Sequence, residues 1–264
     1  MNFSKYLLLF IFLLLNLVSG NKSMCEENIL NNRLTLSVFL GSNIPILSSG
    51  FLKEYKSQLG GTKDEFQTYW GIGGALGYQL NKNIRVSLNT EYILNTLQDN
   101  FIKEITKKSG QWRSYQEDME LSTIPIIISV QKYLFFEKYK SYFGIGAGAS
   151  YSSFKWSESV TSPLHNDKRI GGTIYNTVNF YPTIRAEAGI DLDWDVDRPN
   201  VFMKSVSISA VFYYVIRYPK VYKNLESQIV PFPDDLKGRK GVVPFMIGVN
   251  LGLTFNIEKY VINQ

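Results

Sequence analysis

Between Phe245 and Ile257 every second residue is large and apolar. Phe245, Ile247, Val249, Leu251, Leu253, Phe255 and Ile257 alternate with Met246, Gly248, Asn250, Gly252, Thr254 and Asn256. A period of two places side chains on one face of a β-strand, so this segment has one greasy face and one small or polar face. The pattern recurs. Over 84–95, Ile84, Val86, Leu88, Tyr92 and Leu94 oppose Arg85, Ser87, Asn89, Glu91 and Asn95, with Ile93 out of phase. Over 181–194, Ile184, Ala186, Ala188, Ile190, Leu192 and Trp194 oppose Thr183, Arg185, Glu187, Gly189, Asp191 and Asp193. About eight such segments are predicted, at 33–42, 68–80, 84–95, 119–134, 141–154, 181–194, 202–217 and 243–257.

The links between them alternate in length. Asn81-Lys82-Asn83, the stretch around Glu137 to Lys140, and Asp195 to Asn200 are short. The stretches 43–67, 96–118, 155–180 and 218–242 are long and polar. An up-and-down barrel in an outer membrane has this asymmetry, with short turns inside and long loops outside. The small residues indicate which face looks inward. An eight-stranded ring is too narrow to hold Leu, Ile and Phe from every strand, whereas Gly71, Gly73, Ala75, Gly77, Gly144, Gly146 and Gly148 relieve that crowding. The expected interior is therefore a polar cluster that includes Arg85, Asn89, Glu91, Arg185, Glu187 and Asn250, in which buried charges must pair or keep water. Trp70, Tyr78, Tyr92, Tyr133, Tyr151, Trp194, Tyr214 and Tyr218 fall toward strand ends and are expected at the membrane–water boundary. The fold class is all-β: a closed, antiparallel, transmembrane β-barrel of about eight strands.

The chain's start reads as an export signal. Lys5 precedes an apolar run from Tyr6 to Val18, too short to span as a helix, and Val18-Ser19-Gly20 offers a cleavage site. This divides the chain into a signal peptide, 1–20, and a barrel domain, 21–264. Cys25 is the lone cysteine, which excludes an internal disulfide, and its surroundings do not fit a lipidation motif. Mean hydropathy is -0.09, too polar for a bundle of membrane helices. The mild positive charge, +5, comes without a basic stripe, so nucleic acid is not expected as a partner.

Two segments carry a resemblance. Leu121-Ser122-Thr123-Ile124-Pro125-Ile126-Ile127-Ile128-Ser129-Val130-Gln131-Lys132-Tyr133 resembles the "IPLLLKY"-type strand of small outer-membrane barrels of the Bacteroidetes, the PorT-like members of the OmpA/OmpX-like superfamily. Tyr142-Phe143-Gly144-Ile145-Gly146-Ala147-Gly148 is similar to the strand that follows it there, and Gly252-Leu253-Thr254-Phe255 resembles the closing strand read by the barrel-assembly machinery. The chain runs on to Gln264 beyond that aromatic, unlike the simple terminal signal. The resemblance implies a fold and an outer-membrane location, not an activity.

Chemistry is thinly represented. His165, in Pro163-Leu164-His165-Asn166-Asp167, is the single histidine and reads as a solvated loop residue. One Cys and one His cannot build a zinc site. Asp191, Asp193, Asp195 and Asp197 alternate as calcium ligands can, but without the expected glycine turn or closing glutamate, and read as a solvated turn. No catalytic, cofactor or metal residue is expected. Basic loop residues, Lys103, Lys107, Lys108 and Arg113 in one loop and Lys220, Lys223, Lys237, Arg239 and Lys240 in another, suit either lipid phosphates or plain solubility. The expectation is a non-enzymatic barrel in a bacterial outer membrane, with a structural, adhesive or accessory role. Its expected partners are outer-membrane lipids including lipopolysaccharide, the assembly machinery, and a protein at the external loops. The alternatives are a lipid-modifying outer-membrane enzyme and a soluble periplasmic lipocalin-like barrel that binds a ligand.

Overall fold

The computed structural model of the chain describes residues 34–46, 49–104, 112–135, 139–161, 169–193, 203–216 and 245–257. The expected signal peptide, Cys25, His165, Trp194, Asp195, Asp197 and the loop 218–242 lie outside the described residues.

Among the described residues there are ten strands and one helix: β1 Leu34–Pro45, α1 Ser49–Leu59, β2 Gln67–Thr68, β3 Trp70–Asn81, β4 Ile84–Glu91, β5 Ile93–Glu104, β6 Trp112–Phe135, β7 Lys140–Thr161, β8 Arg169–Asp193, β9 Met203–Val215 and β10 Phe245–Asn256. All pairings are antiparallel. β4 pairs with the lower half of β6 (Ile84 opposite Lys132) and β5 with its upper half (Ile93 opposite Thr123). The two behave as one strand interrupted at Tyr92. The ring then reads β1, β3, β4/β5, β6, β7, β8, β9, β10, and closes where β10 meets β1, with Val38 opposite Leu253 and Leu40 opposite Leu251. This is the closed, eight-stranded, up-and-down barrel of the sequence reading, with β2 as a two-residue addition to β5.

The strand ends that flank the short links gather at one end of the ring. At the first, the side-chain carbonyl of Asn81 accepts from the backbone N–H of Asn83 (2.9 Å) and of Ile84 (3.0 Å), an Asx turn that reverses the chain within two residues. Around the ring's middle the apolar residues point out. Leu40 is 54% exposed and Ile72 60%, and Val249 and Leu251 share that outward face, whereas Arg185 and Glu187 are buried within. Two outward aromatic rows bound this band. Trp70, Tyr92, Tyr151, Phe180 and Tyr214 stand toward the long-loop end, and Tyr78, Tyr139 and Phe143 toward the short-turn end. Tyr133 departs from its expected place. It faces inward and is buried, because the odd-numbered residues of β6 line the lumen.

Strand length is where the structure differs most from the sequence reading. β6 has 24 residues and β7 has 22, whereas about 9–11 cross a membrane. The predicted loops 96–118 and 155–180 are therefore mostly strand: β5 continues to Glu104, β6 begins at Trp112, β7 continues to Thr161 and β8 begins at Arg169. The reason is an exchange of faces at constant register. Below, Thr123 and Ser152 pair inside while Ile124 and Tyr151 pair outside. Above, Leu121 pairs with Phe154 and Met119 with Trp156 inside, while outside Glu120 pairs with Lys155 and Asp118 with Ser157. The period of two persists, but the apolar face becomes the inner one. Lys103, expected in a solvated loop, consequently sits on β5, partly withdrawn from water.

The predicted loop 43–67 holds α1. Phe51, Leu52 and Tyr55 form one apolar stripe and are fully buried. The helix ends at Gly60, whose φ of 86° suits a residue without a Cβ and whose N–H bonds back to the carbonyl of Lys56 (3.1 Å). At the Tyr92 interruption, the Tyr92 N–H donates to the carbonyl of Ile72 (2.9 Å), and its own carbonyl lies where a Cβ on Gly71 would stand. Gly71→Ala is expected to destabilise the folded barrel by about 2 kcal/mol, because the obstacle is backbone and no rotamer change removes it. Gly172→Ala, with open space around it, should stay within about 0.5 kcal/mol of the parent, both measured by urea unfolding in detergent.

Candidate functional site

The lumen has two tiers. In the lower, beneath the Leu121 row, polar residues point inward from the strands around the glycine-lined β3. All six residues of the sequence-derived interior set are there and buried: Arg85, Asn89, Glu91, Arg185, Glu187 and Asn250. Arg185 and Glu187, two apart on β8, form an ion pair of 2.9 Å, and Glu187 also accepts from the side-chain amide of Gln131 (2.9 Å). Glu91 accepts from the Asn43 amide (2.6 Å) and from the hydroxyl of Tyr213 (2.8 Å). The Arg185 guanidinium lies over that same tyrosine ring, 5.8 Å from its centroid. Arg85 donates to Ser37 (3.1 Å) and Tyr133 (3.3 Å). Asn89 donates to Ser87 and Ser129, at 3.0 Å each. The expected matching of arginine with glutamate is thus met at Arg185, while hydroxyls serve Arg85. The glycines make this possible. A side chain at Gly77 would collide with the Arg85 guanidinium, and one at Gly144 with Gln131 and Glu187.

Asp191 corrects the reading of the aspartate series as a solvated turn. It is buried on β8, facing the lumen on the wall of a cavity that Arg85 also lines. That cavity has a volume of about 40 Å³ and is bordered also by Arg185, Gln131, Glu187 and Asn250. Such a volume suits a few water molecules and no larger solute.

The upper tier is an apolar core roofed by α1. Trp156 is fully buried at its centre. The rings of Phe51 and Tyr55 meet it edge-on, each 5.8 Å away, and Phe51 meets Phe154 at 6.0 Å. Edge-to-face contacts of this kind add roughly 0.5–1.5 kcal/mol each beyond area burial. Three carboxylates stand beneath the roof. Asp99 accepts from the Tyr55 hydroxyl (3.0 Å), the Thr62 hydroxyl (2.6 Å), and the backbone N–H groups of Thr62 (2.6 Å) and Lys63 (3.1 Å), tying α1 and the segment after it to β5. Glu117 accepts from the Trp156 indole N–H (2.6 Å) and directly faces the buried Glu158 across the β6–β7 pair.

These groups stand above the outward apolar band, and their environments separate them. Burial works against the charged form of Asp99, but the four hydrogen bonds outweigh it and hold its carboxyl below the usual range. Burial dominates at Glu117. The Trp156 bond opposes it, the facing Glu158 adds to it, and the Glu117 carboxyl is pushed up to about 9. Sequence reasoning missed this tier because its acids and aromatics fall in segments read as loops. The signals were Phe51, Leu52 and Tyr55 at helical spacing ahead of Gly60-Gly61, and unbroken alternation through Tyr115, Glu117, Met119 and Leu121.

No protein-family model matches the chain, and no curated protein sequence does. Among solved structures, it is similar to Neisserial surface protein A at 9% identity and TM-score 0.41, covering 84% of this chain and 96% of that one. Ail, the attachment invasion locus protein of Yersinia pestis, gives 10% and 0.35, with 86% and 98% covered. CarO of Acinetobacter baumannii gives 12% and 0.35, with 83% and 96% covered.

The two carboxylates give the roof a defined pH response. A raised Glu117 contributes stability that is complete below the unfolded value of about 4.3 and is lost as pH rises toward 9. A lowered Asp99 contributes stability above about 3.9 that is lost as pH falls through its depressed folded value. Hydrogen exchange of 49–59, corrected for intrinsic rate, should therefore accelerate between pH 5.5 and 9.5. Glu117→Gln should flatten that rise; a variant with the parent's pH slope would exclude Glu117 as its source.

Proposed function

We propose that the chain is an integral β-barrel of a bacterial outer membrane, non-enzymatic, with a structural, adhesive or complex-accessory role carried by the part that stands beyond the membrane. The supporting observation is the outward band of Leu, Ile and Val between two aromatic rows, around a lumen of buried Arg, Glu and Asn. A fully exposed Leu or Ile in water forgoes about 1.5–3 kcal/mol of burial. A belt of them is sustained only by hydrocarbon, and ring closure leaves no unpaired strand edge within that belt. On β6 the outward apolar positions Ile124, Ile126 and Ile128 give way to Lys132, which fits the hydrocarbon thickness for a tilted strand. A lipocalin-like carrier would turn these residues inward.

The lumen argues against a pore. The polar network fills the lower tier, α1 and its aromatic partners close the upper one, and the described cavity admits only water-sized molecules. The presented surface is the sheet formed by the upper halves of β5 to β8. The barrel-assembly machinery, lipopolysaccharide and a protein at the external loops belong to the same proposal. A closed barrel keeps its fold in unheated dodecyl sulfate, so the mature chain should migrate differently before and after boiling and should leave planar bilayers without discrete conductance steps. Identical migration of the two samples would refute the membrane-barrel reading.

A further inference from the structure

The inner face of the upper sheet carries a row that its surroundings do not favour. Asp99 on β5, Glu117 on β6 and Glu158 on β7 stand opposite one another in register. All three are buried beneath α1, Glu117 at 0% exposure. The rows on either side are apolar: Phe101, Tyr115 and Val160 above, Leu97, Met119 and Trp156 below. Like charges directly opposite on neighbouring strands are destabilising, and burial among apolar side chains adds to the penalty. Four donors satisfy Asp99. Glu117 is served at one oxygen, by the Trp156 indole, and its Oε1 is buried without a donor.

The row has an open end. On β8 the position opposite Glu158 is Gly172, so a side chain there would share the inner face. No described atom lies within 4 Å of where its Cβ would stand. One row higher on that face, Ile170 lies opposite Val160 and is 47% exposed. A buried acceptor lacking a donor thus lies two strands in from an opening with an apolar shelf beside it.

The chemistry selects the occupant. A bare acceptor calls for a donor, and an acidic row calls for positive charge. Calcium would need several oxygens converging on one point, and among the described residues no group of three or more acidic, His or Cys side chains offers that. A quaternary ammonium has the charge but no N–H. A primary ammonium has both, with three donors on one compact head, and its alkyl stem suits Ile170. Of the other ionisable groups around the row, Tyr55 reaches Asp99 from α1, Tyr115 stands one row above, and Lys103 and Arg113 oppose each other two rows above.

We infer that the Glu117–Glu158 end of this row is a binding site for a primary ammonium group, carried by a free alkylamine or a lysine side chain and entering beside Gly172. Burial and the facing Glu158 hold the Glu117 carboxyl up at about 9, so at neutral pH the pair keeps a proton. An entering ammonium takes that proton's place: both carboxylates become acceptors of N–H, and one proton leaves to solvent. The site stands above the outward apolar band and does not depend on what surrounds that band.

The full mature chain, folded in non-ionic detergent, is titrated calorimetrically with butylammonium in two buffers of different ionisation enthalpy. About one proton should be released per ion bound, and the Kd should fall about tenfold per pH unit from pH 6 to 8. Gly172→Leu, which fills the opening and leaves every acid in place, should bind about tenfold more weakly while keeping the parent's circular dichroism; Glu158→Gln should bind as weakly and release no proton. A pentapeptide with one central lysine, blocked at both ends, is titrated alongside: tighter binding than butylammonium assigns the source to a protein side chain, weaker binding to a free amine. Failure of both amines to bind the parent would overturn the inference. So would butylammonium binding without proton release, an equal response to tetramethylammonium or calcium, or a Gly172→Leu chain that binds like the parent.

Discussion

The pairing of β1 with β10 governs the rest of the structure. Eleven positions of the first strand meet partners in the last, from Thr35 with Asn256 to Pro45 with Met246. Without that seam both strands would present a row of unpaired N–H and C=O groups along an apolar face, a template for aggregation in water and prohibitively costly in hydrocarbon. With it, the backbone is satisfied around the ring and the side chains are free to divide between two surfaces. The division follows from size as well as polarity. The ring is narrow, so the inward positions of β3 are Gly71, Gly73, Ala75 and Gly77, and the space they leave is taken by Arg85 and Phe39 from neighbouring strands.

The same strands carry two solvation regimes in succession. Through the band, the inside is polar and the outside greasy; above it, the inside becomes greasy and the outside polar. No change of register is needed on β6, where odd-numbered residues face the lumen from Tyr115 to Tyr133. In the proposed setting the medium around the barrel changes there, and composition follows it. The upper half is then a polar-faced sheet with one helix packed on its inner face, built directly on the barrel below. The lid of Phe51 and Tyr55 over Trp156 and the polar plug of Arg185, Glu187, Gln131 and Arg85 then block one lumen at two heights by opposite means. In the proposed setting the barrel is thus an anchor and a platform.

Legibility varied with the kind of signal. The strands of the band were readable because apolar and polar residues alternate there in the expected sense; β10 and the lower part of β8 are the clearest cases. The extensions were not readable in that sense, because a search for greasy residues facing out finds Gln98, Asp118 and Ser157 and concludes loop. Arg85, Glu91, Arg185 and Glu187 were legible as interior residues from parity alone, but their partners were not. Tyr133 looked like a boundary aromatic and is a lumen residue bonded to Arg85. Asp191 looked like part of a solvated turn and lies buried in the lumen. In each case the error came from assigning a side chain by its type when its position in the two-residue repeat assigned it otherwise.

What the sequence alone determined is the repeat itself: strand character, and a narrow ring signalled by small residues on one face. These are properties of neighbours along the chain, and local spacing suffices to state them. What only the tertiary structure decided is which residues meet across the lumen. Asn43 with Glu91, Tyr55 with Asp99 and Glu117 with Trp156 are separated by 48, 44 and 39 positions. Their meeting depends on strand register, on tilt and on a helix folding back into the mouth of the barrel. Periodicity says which way a side chain points, but the closed ring sets what it finds there.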